Sequence, residues 1–200
     1  MTDIEMYEND DYRLRIVIDD VPEDPRRWDN LGTMVCWHRR YALGDERSER
    51  NGEYSSWDEW FEGEVGDPDD YVVLPLYLYD HGGITMNTRG FSCPWDSGQV
   101  GLIYCSKDKF RKETGYTEDE LFGEEERAAE MLRNEVEIYD QYLRGDVYGF
   151  ILEEKSKCAC CGNIEYEEID AVYGFYGTDW RENGLVDHIS QYSIADELGK

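Results

Sequence analysis

The chain has 200 residues, 14% of them aromatic, and sets 47 acidic residues against 20 basic ones, a formal net charge of −27. That length encloses one sizeable core, so a single α+β domain over residues 1–200 is expected, with an acidic, Trp-containing insertion at about 45–70. The charge argues against direct binding of DNA, RNA or anionic lipid, because phosphate contacts require Lys and Arg.

Cationic partners are favoured instead, including proteins that themselves grip nucleic acid. Solubility, or life in a salt-rich cytoplasm, accounts for the acidity equally well; only 6 of the 20 basic residues are Lys. No apolar run approaches the ~20 residues that a membrane span needs. The opening MTDIEMYENDDY lacks the basic-then-apolar form of a signal peptide, so a cytoplasmic protein is expected. In that setting the six cysteines read as reduced thiols or metal ligands rather than a disulfide framework.

In chain order, YRLRIVI at Tyr12–Ile18 alternates before an apolar end and predicts a strand. Pro22 and Pro25 then impose a turn, and LGTMVCWH at Leu31–His38 is a second strand candidate. Asp45–Asp70 holds eleven acidic residues and two arginines. Within it Trp57, Trp60 and Phe61 have helical spacing behind Ser55-Ser56, which predicts a short capped helix pinned by tryptophans. The same tryptophans, ringed by carboxylates, also suit a docking surface.

Tyr71–Phe110 carries the longest apolar run and the densest turn chemistry. Val72–Tyr79 and Gln99–Cys105 read as paired core strands with Ile84–Asn87 between them, and Pro75 calls for an edge or a bulge. A long helix is expected over Thr117–Leu143, with Thr117 and Glu120 as a capping box and Gly145 as its stop. Its buried stripe runs through Leu121, Ala128, Leu132, Val136, Tyr139 and Leu143. Asp119, Glu126, Glu130, Glu137 and Asp140 fall opposite that stripe and are expected to be exposed. The segments DVYGFILEE and DAVYGFYG share VYGF and predict a hairpin or meander with a cysteine cluster at its tip. Leu185–Leu198 is expected to contain a short closing helix, with Leu185, Ile189 and Tyr192 on one face.

Three constellations bear on chemistry. Cys158-Ala159-Cys160-Cys161-Gly162 offers Cys158 and Cys161 at the spacing of half a zinc knuckle. A structural zinc would need two more ligands, with Cys36, His38 or Cys93 as candidates; a redox pair or simple thiols are the alternatives. Cys93 with His81 or His188, and Asp96 or Asp187 to orient the ring, has the residue types of a cysteine hydrolase. The spacing matches no hydrolase signature, and Cys93 and Trp95 read more simply as packed core residues. Tyr79–Gly83 is a possible binding turn without a phosphate-loop pattern.

The stretch LYLYDHGGITMNTRGFSCPWDSGQVGLIYCS, followed later by EIYDQYLRGDVYGF, resembles a family of uncharacterised proteins of phages, plasmids and their bacterial or archaeal hosts. The likeness covers the middle and C-terminal two-thirds of the chain and implies a role in conflict between mobile elements and host defence. The leading expectation is a nonenzymatic protein that occupies the nucleic-acid-binding surface of a basic host protein by phosphate mimicry. Its contacts would be Asp119, Glu126, Glu130, Glu137 and Asp140, with Trp57 and Trp60 as anchors. A small enzyme or ligand-binding domain using the 80–96 region and a zinc-stabilised adaptor are the competing readings.

Overall fold

The computed structural model describes residues 2–47, 54–116 and 123–198. In chain order its elements are β1 (Asp3–Glu8), β2 (Tyr12–Ile18), β3 (Thr33–Cys36), β4 (Glu46–Arg47), α1 (Trp57–Glu64), β5 (Tyr71–Asp80), β6 (Ile84–Asn87), β7 (Ser97–Ser106), α2 (Lys107–Thr114), α3 (Glu124–Arg144), β8 (Val147–Lys157), β9 (Ile164–Tyr176) and α4 (Leu185–Ile189). The fold is α+β, with two largely antiparallel sheets. The chain groups into two compact units, Met1–Glu23 with Gly145–Lys200, and Asp24–Arg144.

The first unit is a four-stranded sheet in the order β1-β2-β8-β9. Leu14 and Ile16 of β2 alternate with Arg13 and Arg15, which puts the two aliphatic side chains on a face shared with Tyr148, Phe150 and Leu152. Trp180, Leu185, Ile189 and Ile194 cover that face. The closing segment contains the expected short helix, α4, followed by a 3₁₀ turn at Ser193–Glu197. The two VYGF tetrapeptides lie against each other: Tyr148 pairs with Phe175 and Phe150 with Val172, across a bulge at Tyr148/Gly149. That bulge lets the Tyr173 ring lie where a side chain on Gly149 would stand, 2.3 Å from a Cβ placed there. On the other face Arg13 donates to both oxygens of the buried Glu153 carboxylate.

The second unit is a five-stranded sheet, β4-β3-β7-β5-β6. Pro75 is tolerated inside β5 because β6 pairs only with Tyr77–Asp80, which leaves the flank at Pro75 open on that side, and a bulge follows at Leu76/Tyr77. One sheet face packs on α3 through Met34, Leu76, Ile103, Leu132, Val136 and Tyr139. The other carries α1, where Trp60 and Phe61 are buried with Val35 and Leu102. Ser56 caps α1 by accepting from the Glu59 amide at 3.1 Å, and Glu59 reaches back to the Ser55 amide at 2.7 Å.

The buried stripe of α3 holds at Ala128, Leu132, Val136 and Tyr139, and Gly145 takes the left-handed conformation just past its end. The helix begins at Glu124, after Gly123 at φ 75°. The expected capping box Thr117/Glu120, and with it Asp119 and Leu121, lies outside the described residues. Helix α2 was not legible as an apolar period because Phe110 is its one buried residue. Ser106 accepting from the Lys109 amide and Gly115 at φ 66° delimit it.

A buried guanidinium joins these parts. Arg26, whose side chain is 2% exposed, donates to both oxygens of Asp45, to Glu135 on α3 and to the Gly32 carbonyl. Asp45 in turn accepts from the Met34 amide at 2.7 Å, and Glu135 from the Leu31 amide at 2.8 Å.

The close approach of β3 to β7 yields a direct test. A Cβ on Gly101 would stand 2.2 Å from the Val35 carbonyl oxygen, against backbone that cannot turn aside. Gly101→Ala is expected to destabilise the second unit by about 1–3 kcal/mol. The readout is a lower urea midpoint for fluorescence of the Trp37, Trp57 and Trp60 cluster; an unchanged midpoint would show that the strands separate freely there.

Candidate functional site

The β8–β9 hairpin ends at the Lys157–Ile164 pair, and residues 158–163 form its tip. Two backbone bonds close the turn: Cys158 N–H to the Asn163 carbonyl and Gly162 N–H to the Cys158 carbonyl, each 2.8 Å. Gly162 sits at φ 75°, a conformation that a side chain would strain. The sulfur atoms of Cys158, Cys160 and Cys161 lie within 4.8 Å of one another, and those of Cys158 and Cys160 are 2.9 Å apart. Cys160 and Cys161 are exposed and Cys158 half-buried. The Cys160 thiol, then the Cys160 and Cys161 amides, stabilise negative charge on Cys158 and lower its pKa to about 6. Cys160 is shifted upward, chiefly through its bond with Cys158.

Cysteine spacing thus located a real cluster, but the half-knuckle reading of Cys158 and Cys161 omitted Cys160. Among the described residues no further His, Cys, Asp or Glu joins the three sulfurs. Cys36 and Cys105 are buried, and burial pushes their thiols up to about 12 and about 11.

In the 80–96 region the ionisable groups do come together, around one carboxylate oxygen of Asp96. The Asp96 carboxylate stands between the other two groups, 3.3 Å from His81 Nδ1 and 3.7 Å from Cys93 Sγ. A cysteine nucleophile needs imidazole next to sulfur, with the carboxylate behind the ring. His188, the alternative base, belongs to the other unit and stands against Phe175 with ring centroids 5.3 Å apart. His81-Gly82-Gly83 is a closed turn, with the His81 amide donating to the Gly83 carbonyl. Trp95, expected in the core, is 91% exposed, because the loop from Thr88 to Asp96 turns its own polar groups inward: Asn87 accepts from the Arg89 and Gly90 amides, and Ser97 donates to the Cys93 carbonyl.

The expected partner-binding residues separate into two groups. Glu126, Glu130 and Glu137 of α3 are exposed, although Glu126 pairs with Arg133 at 2.9 Å. Asp140 is not exposed: its side chain is 15% accessible and accepts from the Thr85 hydroxyl at 2.7 Å and the Met86 amide at 2.6 Å. Its place on the helix faces β6, so it fastens a strand rather than facing solvent. Asp119 lies outside the described residues. Trp60 is buried, and half-buried Trp57 stacks on Trp37 with centroids 3.8 Å apart. Both tryptophans serve the core beneath α1, because their helical spacing aims them at the sheet.

Compared with known proteins, the chain matches no family model, no curated protein and no solved structure. No helix among the described residues is long and apolar enough to cross a membrane.

Thiol reactivity tests the geometry of the tip. A group whose pKa is lowered is anionic above the shifted value, so Cys158 should be thiolate above about pH 6. Alkylation of the reduced protein by iodoacetamide, mapped by mass spectrometry, should modify Cys158 first, with a rate that rises through pH 6 and levels by pH 7.5. A midpoint near the ordinary thiol value of about 8.5 would contradict the sulfur contacts described.

Proposed function

We propose that the protein is a nonenzymatic, acidic binding protein that engages a basic, nucleic-acid-binding host protein by presenting carboxylates in place of phosphates. The exposed row Glu126, Glu130 and Glu137 on α3 is the observation that carries this reading. At 1.5 Å rise per residue the two intervals are about 6 Å and about 10.5 Å along the axis, close to two and three nucleotide steps of one strand. The surrounding charge supports it. Arg13, Arg15, Arg26, Arg40, Lys107, Lys109, Arg111, Arg133, Arg144 and Lys155 are engaged in internal ion pairs, so half of the 20 basic residues are already partnered while the acidic surplus remains. Trp95, 91% exposed, would supply an aromatic contact in place of Trp57 and Trp60. A target among host defence proteins follows from the resemblance to mobile-element proteins, and belongs to the proposal.

The test uses the full chain as bait in host lysate. Wild type should retain a basic protein at low salt, release it at high salt, and lose it to added duplex DNA. Glu126→Lys, Glu130→Lys and Glu137→Lys combined should weaken capture at least tenfold while circular dichroism stays unchanged, because the stripe through Leu132 and Val136 is untouched. Capture that resists salt, or that the triple variant keeps in full, would refute the mimicry.

A further inference from the structure

We propose that Cys158, Cys160 and Cys161 form a three-thiolate site for a soft, thiophilic monovalent cation, with the cuprous ion as its type. This goes beyond the acidic binding role and does not depend on it.

The donor set decides the class of ion. Sulfur is the sole donor type in the cluster among the described residues, and soft thiolates select copper(I), zinc and iron–sulfur centres over hard cations. A structural zinc site takes four ligands, and a zinc held by three keeps an open fourth position for water. Three sulfurs from a single turn instead complete the shell of an ion content with three donors.

Size agrees with this. Metal–sulfur bonds of about 2.3 Å place three sulfurs of a trigonal plane about 4.0 Å apart. The three sulfur atoms here all lie within 4.8 Å of one another, and the 2.9 Å pair of Cys158 and Cys160 would open by about an ångström on binding. Side chains on an exposed tip can make that adjustment, while the two 2.8 Å backbone bonds hold the turn beneath them. The stem of Lys157 packs on the turn, 3.6 Å from a Cβ placed on Gly162.

Exposure then defines the use. A cation held at the tip of a hairpin, by residues of which two are exposed, is open to approach by another thiolate. Ligand exchange from sulfur to sulfur transfers the ion without a redox change: one metal–sulfur bond forms as one breaks, and the departing thiolate regains a proton from water. The site therefore suits exchange of an ion rather than permanent stabilisation of the fold.

The test is anaerobic titration of the reduced full chain with copper(I), with bicinchoninate as competing chelator, and sulfur counting by X-ray absorption. The expected result is one equivalent bound by three sulfurs. Each of Cys158→Ser, Cys160→Ser and Cys161→Ser should lower affinity at least tenfold, and Cys93→Ser should leave it unchanged. These substitutions sit on an exposed turn, and circular dichroism confirms that each variant is folded. Full affinity in any of the three tip variants, a count of two sulfurs, or displacement of copper(I) by an equimolar amount of zinc would overturn the assignment.

Discussion

The second unit depends on the burial of one guanidinium. Placing Arg26 in the interior is unfavourable by itself, and burial is the largest influence on its ionisation, acting to lower the pKa. Hydrogen bonds to Asp45 and Glu135 outweigh that effect and raise it, so the charge stays. The two carboxylates do more than neutralise it. Each also accepts from backbone amides at the start of β3, so the pairing fixes the turn at Pro25–Arg27, the Leu31–Met34 segment, Asp45 and α3 to one another. Removing one partner of such a buried set is costly, about 3–5 kcal/mol, because the remaining charge has no water to return to.

This clamp changes how the acidity of the chain is understood. A net charge of −27 invites treating every carboxylate as a solvated surface group. Asp45, Glu135, Asp140 and Glu153 are structural instead: they accept from backbone amides or from arginine at sites closed to most solvent. Glu126, Glu130 and Glu137 share the helix with Glu135 and Asp140 but point away from the sheet. Sequence spacing separates these sets only in part. Helical periodicity assigned Asp140 to the outer face, whereas β6 comes close enough for its Met86 amide to donate to the carboxylate.

Local rules were legible wherever one physical signal dominated. Alternation found β2, a run of β-branched and aromatic residues found β5 and β7, and glycine placement found the end of α3. The hairpin with cysteines at its tip was readable from the paired VYGF segments and the turn chemistry between them. What failed were judgements that need the partner of each residue. β1, at a sheet edge, alternates Ile4 and Met6 with Asp3 and Glu5, but both faces are largely exposed, so no buried side marks it as a strand. Of the two readings of Trp57 and Trp60, a helix pinned by tryptophans holds and the docking surface does not, because the helix aims both at a sheet; Trp95, expected in the core, is left in water by a self-satisfied loop. For the thiols, spacing named two of three, since proximity in a turn is set by backbone conformation rather than by the interval between cysteines.

The carboxylates of α3 divide into a buried clamp and an exposed row, and amide hydrogen exchange at Met34 separates the two. The Met34 amide bonds to Asp45, not to Glu135, so it reports the clamp as a unit. In Glu135→Ala its protection should fall by about a hundredfold or more, the equivalent of roughly 3 kcal/mol. In Glu130→Ala, one turn and a residue away on the exposed face, protection should stay within about twofold of wild type. Equal losses in both variants, or none in either, would contradict the division on which the account rests.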